Sequence, residues 1–273
     1  MVAKNILILS MTRMGDMFQT TPLIKGLKEK YPTAKITLLV TSDFASAVPL
    51  IPEVDDSIVV NFRQFDNQAN WEDLSWIKIY RYLENTLREI KDRKFDLLVN
   101  LSHSKFSALM VRYLGVKNVV GFYCDNFGNR MTGHPWMQYF SVKIFNRNFN
   151  EFNLAEIFSR SGGVDVKGRS IAVTHPQNDF SLGTLIPPEF NEREVLIGIQ
   201  AGSSLEGRRW PVQSFAALAD RLVENINARI LLFGVESEND VAEDVISLVK
   251  NKDKVVNLAG KTNLSQLSGL LEK

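Results

Sequence analysis

Asn5-Ile-Leu-Ile-Leu-Ser10, the polar turn Met11-Thr-Arg-Met-Gly-Asp16, and then Leu23, Ile24, Leu27 and Tyr31 at helical spacing form the stretch that settles the fold class. The first run is apolar on consecutive positions, as a strand covered on both faces must be. The second set falls three and four residues apart, which puts those side chains on one side of a helix. Pro32 ends that helix. A strand buried on both faces that leads into a helix is the start of a βαβ unit, the repeating piece of a parallel sheet.

The alternation continues outward from this unit. Lys35–Thr41 and Ser57–Asn61 read as strands, and Trp71 to about Arg93 as a long charged helix. Phe95–Leu101 is a fourth strand; Phe106, Leu109, Met110 and Tyr113 mark a helix with Gly115 as its C-cap. Asn118–Phe122 is a fifth strand. Residues 123–150 carry little period and read as a long loop, of the length that usually has a function. A helix around Phe152–Phe158 ends at Gly162-Gly163. The segment 164–193, with Pro176, Pro187 and Pro188, reads as a linker. A second block follows, with strands at Val195–Gln200, Ala228–Gly234 and Val255–Leu258 separated by helices. The expected architecture is α/β, with one parallel-sheet domain over residues 1–180 and a second over 181–273.

Composition narrows the function. The length of 273 residues suits about two domains. A net charge of +1 lacks the basic excess of a nucleic-acid binder. One cysteine, Cys124, fits a reducing compartment, and no apolar run approaches the roughly 18 residues that a membrane span needs. No secretory signal precedes the first strand, so a soluble, cytoplasmic protein is expected. No G-x-G-x-x-G follows the first strand. Gly260-Lys261-Thr262 looks like the end of a phosphate loop, but Val255 stands where that motif requires glycine. His103, His134 and His175 lack metal-ligand spacing, so no metal or cofactor is expected.

Two polar segments lie between a strand and a helix, where open α/β sheets place ligands. In the first, Gly15 permits close backbone approach or a positive-φ turn, and Asp16 follows it. Position alone allows Asp16 to be a helix cap or a carboxylate offered to a ligand. The second is Gln200-Ala-Gly-Ser-Ser-Leu-Glu-Gly-Arg-Arg-Trp-Pro211. Its small residues, hydroxyls and guanidiniums suit either a pyrophosphate or an ordinary solvated loop. Arg130 and Lys105 read first as solvated surface, with contact to anionic groups as the alternative.

Arg13-x-Gly15-Asp16, with Thr21-Pro22-Leu23 and Lys28-x-x-Tyr31-Pro32, resembles the opening motif of glycosyltransferase family 9. These are the bacterial ADP-heptose:lipopolysaccharide heptosyltransferases and their relatives. Gly121-Phe122 is similar to that family's G-F turn. Arg208-Arg-Trp-Pro211 resembles its K/R-x-W-P segment, and Asn257-Leu-Ala-Gly-Lys-Thr-Asn-Leu264 its Gly-Lys-Thr element.

The resemblance implies a GT-B architecture of two Rossmann-like domains. It implies an inverting transfer of a sugar, heptose in the first instance, from a nucleotide-sugar donor to a lipid-linked or lipopolysaccharide-core acceptor. Asp16 falls on the family's general base. Ser203, Ser204, Arg208, Glu238 and Lys261 fall on the donor side. Arg13 and Gly15, with His103 and Lys105 beyond the fourth strand, are the expected acceptor contacts. The resemblance also allows peripheral contact with the inner face of the inner membrane.

The family's second domain normally runs on past the last leucine-rich helix, so the donor domain is expected to be truncated here and transfer to be poor. The alternative is a catalytically inactive relative or fragment that serves as a glycan-binding or assembly subunit.

Overall fold

Ile6, Leu7, Ile8 and Leu9 have no exposed surface, because the strand they form, β1 (Asn5–Leu9), is flanked by strands on both sides and covered on both faces. The computed structural model describes residues 3–62, 65, 75–143, 152–166, 168–174, 185, 194–203 and 205–272. The chain divides into two compact units, Met1–Thr174 and His175–Lys273.

In the first unit β1 pairs in parallel with β2 (Lys35–Thr41) on one side and β4 (Leu97–Asn100) on the other. The strand β3 (Asp56–Val60) lies outside β2, and β5 (Asn118–Cys124) outside β4, both parallel; β6 (Arg130–Thr132) returns antiparallel beside β5. The order β3-β2-β1-β4-β5-β6 reverses direction between β1 and β4. The loops after those two strands therefore diverge to opposite faces and leave a crevice at the carboxyl edge.

Six helices accompany the described part of this sheet: α1 (Met14–Phe18), α2 (Thr21–Lys30), α3 (Ser75–Asp92), α4 (Lys105–Leu114), α5 (Pro135–Lys143) and α6 (Leu154–Ser161). Gly115 closes α4 in the left-handed conformation expected of a C-cap glycine. One core is built from Leu7, Leu9, Leu39, Leu98, Met110 and Val111, where α4 covers the sheet.

Residues 123–143 depart from the loop reading, and 144–150 lie outside the described residues. The strand β5 runs on to Cys124, and a tight turn leads into β6 and then α5. The Asp125 carboxylate makes this turn by accepting from the N–H groups of Phe127 and Asn129, both at 2.9 Å, while Gly128 takes φ +78°. This is ordinary aspartate–glycine turn chemistry. A three-residue strand is too short to show a period, so periodicity missed it. Trp71, Pro176, Pro187 and Pro188 lie outside the described residues. The described start of the proposed linker packs onto the first unit: Ala172 N–H donates to Thr21 Oγ1 at 3.0 Å and Thr174 N–H to Leu50 O at 2.8 Å.

The second unit has a parallel sheet β7-β8-β9, formed by Val195–Gln200, Ala228–Phe233 and Val255–Asn257. The helices α7 (Val212–Ile226) and α8 (Asn239–Leu248) contribute Ala216, Ala219, Ala242 and Val245 to one core. Leu270 of α9 (Leu264–Glu272) joins Leu231, Phe233 and Leu258 in another. At the amino edge Glu194 is nearly sealed from solvent and pairs with Arg229 at 2.9 Å and with Lys254.

Gly121 is fixed by close approach. Its φ is +93°, and a Cβ there would sit 2.0 Å from the carbonyl oxygen of Asn100. Gly15 has open space where a Cβ would go and no positive φ, so of the two alternatives at Gly15 the positive-φ turn is absent. Gly121→Ala should lower unfolding stability by about 3 kcal/mol, from backbone strain and the clash together. Gly15→Ala should stay within about 0.5 kcal/mol of wild type. Urea unfolding of the two variants checks both.

Candidate functional site

At the end of β4 a polar side chain is completely buried. Asn100 has no exposed surface, so its amide must find every partner inside the protein. Nδ2 donates to Phe122 O at 2.8 Å and to Ser107 Oγ at 3.2 Å, and Oδ1 accepts from Ser102 N–H at 3.0 Å. Ser102 Oγ then accepts from the N–H of Met11 at 2.7 Å. Ser104 caps α4 by accepting from Ser107 N–H. One network thus ties the loops after β1 and β4 to strand β5.

The loop after β1 carries Arg13, Gly15 and Asp16. Arg13, not Asp16, is the N-cap of α1. Asp16 sits in the first turn with its own N–H on Arg13 O at 3.0 Å, so the capping alternative for Asp16 is wrong. The helix begins earlier than apolar spacing suggested, because its five residues include only one buried side chain, Met17. The half-buried Asp16 carboxylate has no hydrogen-bond or ion-pair partner among the described residues. Arg13 is exposed, and Met11–Ser102 bonding joins its loop to the one that carries His103 and Lys105.

His103 stands between two rings, with centroids 4.2 Å from Phe122 and 5.0 Å from Phe140. Arg130 donates to the His103 carbonyl and, at 3.0 Å, meets Nδ1; its guanidinium also lies 5.3 Å from the Phe122 ring centre. Arg130 is therefore a structural clamp rather than a freely solvated side chain. Burial, and next the charge of Arg130, push His103 below the ordinary histidine range. Lys105 is exposed at the start of α4.

In the second unit the loops after β7 and β8 meet through Glu238. Its Oε2 accepts from Val235 N–H and from Gln200 Nε2, each at 3.0 Å. The carboxyl group fills the space where Gly202 would carry a Cβ, 2.1 Å from its carbon. Gly260 N–H donates to Gly234 O at 2.9 Å and brings the Lys261 loop alongside. In the arginine pair the two residues part company. Arg209 clamps the loop by donating from Nε and Nη2 to Ser203 O, at 3.0 and 2.8 Å. Arg208 and Lys261 are exposed, and neither has a side-chain partner among the described residues. Ser204 lies outside the described residues.

The structure thus adds Asn100, Ser102, Gln200 and Arg209 to the residues expected from sequence. Their signal was a cluster of polar residues where a buried strand ends. No group of three or more His, Cys, Asp or Glu side chains could hold a metal among the described residues, and no described helix is long and apolar enough to cross a membrane. A concavity of about 540 Å³ lies along β5, lined by Val111, Lys117, Tyr123 and His134 among others. None of the expected site residues lines it.

The sequence profile of glycosyltransferase family 9 (heptosyltransferase) matches residues 84–273. Lipopolysaccharide heptosyltransferase 3 of Escherichia coli K12 is 25% identical over 276 residues, covering 94% of this chain and 71% of the relative. A family 9 glycosyl transferase from Veillonella parvula superposes with a TM-score of 0.72 at 18% identity, covering 98% of this chain and 72% of that one. The E. coli heptosyltransferase WaaC with ADP-2-deoxy-2-fluoro heptose gives 0.63 at 19%, covering 98% and 79%. The structural likenesses establish the fold, a Rossmann-like α/β architecture of the GT-B kind.

The depressed His103 predicts a pH effect on stability. The unfolded chain takes up this proton in the ordinary range near pH 6.5, the folded chain only below it. Above that range both forms are neutral; as pH falls through it the unfolded state gains the proton and stability declines. Arg130→Met removes the second cause, so its decline from about pH 7.5 to 5.5 should be shallower than that of wild type. Urea midpoints of both proteins at the two pH values check this; burial also lowers His134, but that cause is present in both proteins.

Proposed function

Because the chain belongs to glycosyltransferase family 9, we propose that it transfers a heptose from a nucleotide-sugar donor such as ADP-heptose to a lipopolysaccharide-core acceptor, with inversion. The observation that carries this reading is Asp16, a carboxylate with no partner among the described residues, in the first turn of α1 just after β1, at the edge where the strand order reverses. In this reading residues 1–180 hold the acceptor, and residues 181–273 hold the donor.

The acceptor hydroxyl attacks the anomeric carbon of the donor from the face opposite the leaving group. Asp16 takes the hydroxyl proton as the new C–O bond forms, and the nucleoside diphosphate departs with the electrons of the broken bond. General-base assistance of this kind is worth about 10²–10⁴-fold. Negative charge grows on the leaving diphosphate, and Arg208 and Lys261 stabilise it with charges that no carboxylate among the described residues neutralises. Ser203 and Ser204 donate to the same phosphates. Glu238 accepts from a ribose hydroxyl through Oε1, since Oε2 is already held by Val235 and Gln200. Arg13, Gly15, His103 and Lys105 contact the acceptor. The protein acts from the cytoplasm, with peripheral contact at the inner membrane; Phe127, 89% exposed at the β5–β6 turn, is a side chain available for it.

Radiolabelled transfer from ADP-heptose to deacylated lipopolysaccharide-core oligosaccharide tests the reading. Asp16→Asn should lower kcat by at least about 10²-fold, while ADP affinity by calorimetry stays within about twofold. Arg208→Ala should weaken ADP binding about tenfold, as expected for loss of a charged contact to phosphate. Binding of the oligosaccharide without transfer by wild type would instead favour a glycan-binding subunit.

A further inference from the structure

The contact between Arg130 and His103 decides more than a ring position. A guanidinium has five N–H donors and no acceptor. Its approach to His103 Nδ1 at 3.0 Å therefore requires that nitrogen to present its lone pair. The same nitrogen, Nη1, also donates to the His103 carbonyl, so ring and backbone are gripped by one terminal nitrogen of the guanidinium. The ring proton must then lie on Nε2.

That nitrogen is shielded from solvent and has no hydrogen-bond partner among the described residues. An unmet buried donor is costly, and in native proteins such a group calls for an explanation. The ring packs tilted against Phe122 of β5 and edge-to-face with Phe140 of α5, neither of which offers an acceptor oxygen from its side chain. Arg130 of β6 is the charge that acts on the ring.

We infer that Arg130 locks His103 as the neutral Nε2–H tautomer, and that this N–H is a hydrogen-bond donor reserved for an oxygen of the bound acceptor sugar. The inference deepens the acceptor reading above and rests on it. It makes His103 a ligand-contacting residue with one polarity: it donates, and it takes no proton from the acceptor hydroxyl. Arg130 acts through His103 and is a positioning residue. Because Nε2 is enclosed in the ligand-free chain, a neighbouring side chain must yield as the sugar enters. Phe140, on the short helix α5, is the ring beside it that does not belong to the sheet.

Two-bond ¹H–¹⁵N correlation spectra of the full chain with ¹⁵N-labelled histidine read the tautomer directly, with His103→Gln identifying the signal. At pH 7 the His103 pattern should show a protonated Nε2 and a bare Nδ1, and Arg130→Met should introduce the other tautomer or the cation. Deacylated lipopolysaccharide-core oligosaccharide at saturation should shift the Hε2 resonance downfield. His103→Leu should raise the acceptor KM about tenfold with kcat held within about twofold, and His103→Gln, which keeps an N–H donor, should recover most of that loss.

A proton on Nδ1, or a His103 cation at pH 7, overturns the inference. So does an unmoved Hε2 signal at saturating oligosaccharide, or an unaltered KM in His103→Leu. If wild type binds the oligosaccharide but transfers nothing, the transferase reading fails, and the spectra still decide the role of His103.

Discussion

A primary amide buried without water must find all its partners in the protein, and in this chain Asn100 is that amide. Its two donors and its acceptor reach the carbonyl of Phe122, the hydroxyl of Ser107 and the N–H of Ser102, on three separate pieces of backbone. Each bond contributes modestly, but leaving any one unmade costs the full desolvation of a buried polar group. The loop after β4 is therefore held against strand β5 in one arrangement, and the Ser102–Met11 bond extends the constraint to the loop after β1. Gly121 belongs to the same constraint, since the Asn100 carbonyl leaves it no room for a side chain.

The second unit repeats the principle with other residues. Asn257, at the end of β9, accepts from Ala259 N–H, as Asn100 does from Ser102 N–H. Glu238 joins the loops after β7 and β8, and Arg209 braces the loop after β7 from within. In both units the polar groups that hold the loops are paired inward, while Asp16, Arg208 and Lys261 are left with no side-chain partner among the described residues. That division is what a binding edge requires: rigid support beneath and uncommitted charge above. The amino edge of the second sheet shows the opposite policy. There Glu194, Arg229 and Lys254 neutralise one another.

Much of this was legible in the chain. Continuous apolar runs identified β1, β2, β7 and β8, and Gly115 identified the end of α4. The Arg13-x-Gly15-Asp16 and Arg208-Arg-Trp-Pro211 motifs lay at strand ends, where the structure has the two carboxyl-edge loops. The reading failed where elements are too short for a period to show. The five-residue helix α1 was hidden inside a polar turn, so Asp16 was open to reading as a cap. The three-residue strand β6 was hidden inside an apparent loop, and with it the role of Arg130.

The sequence by itself determined the alternation of strands and helices and the family to which the chain belongs. It also determined which residues stand at the strand ends. These follow from local spacing and from motifs contiguous along the chain. Only the tertiary structure decided which of those polar residues are paired to hold the loops and which are left with no side-chain partner among the described residues. The deciding partners are distant in sequence: Met11 meets Ser102 across 91 positions, His103 meets Arg130 across 27, and Gln200 meets Glu238 across 38. A hydrogen bond depends on the placement of two atoms within about 3 Å, and no local pattern encodes where a partner so far along the chain will lie.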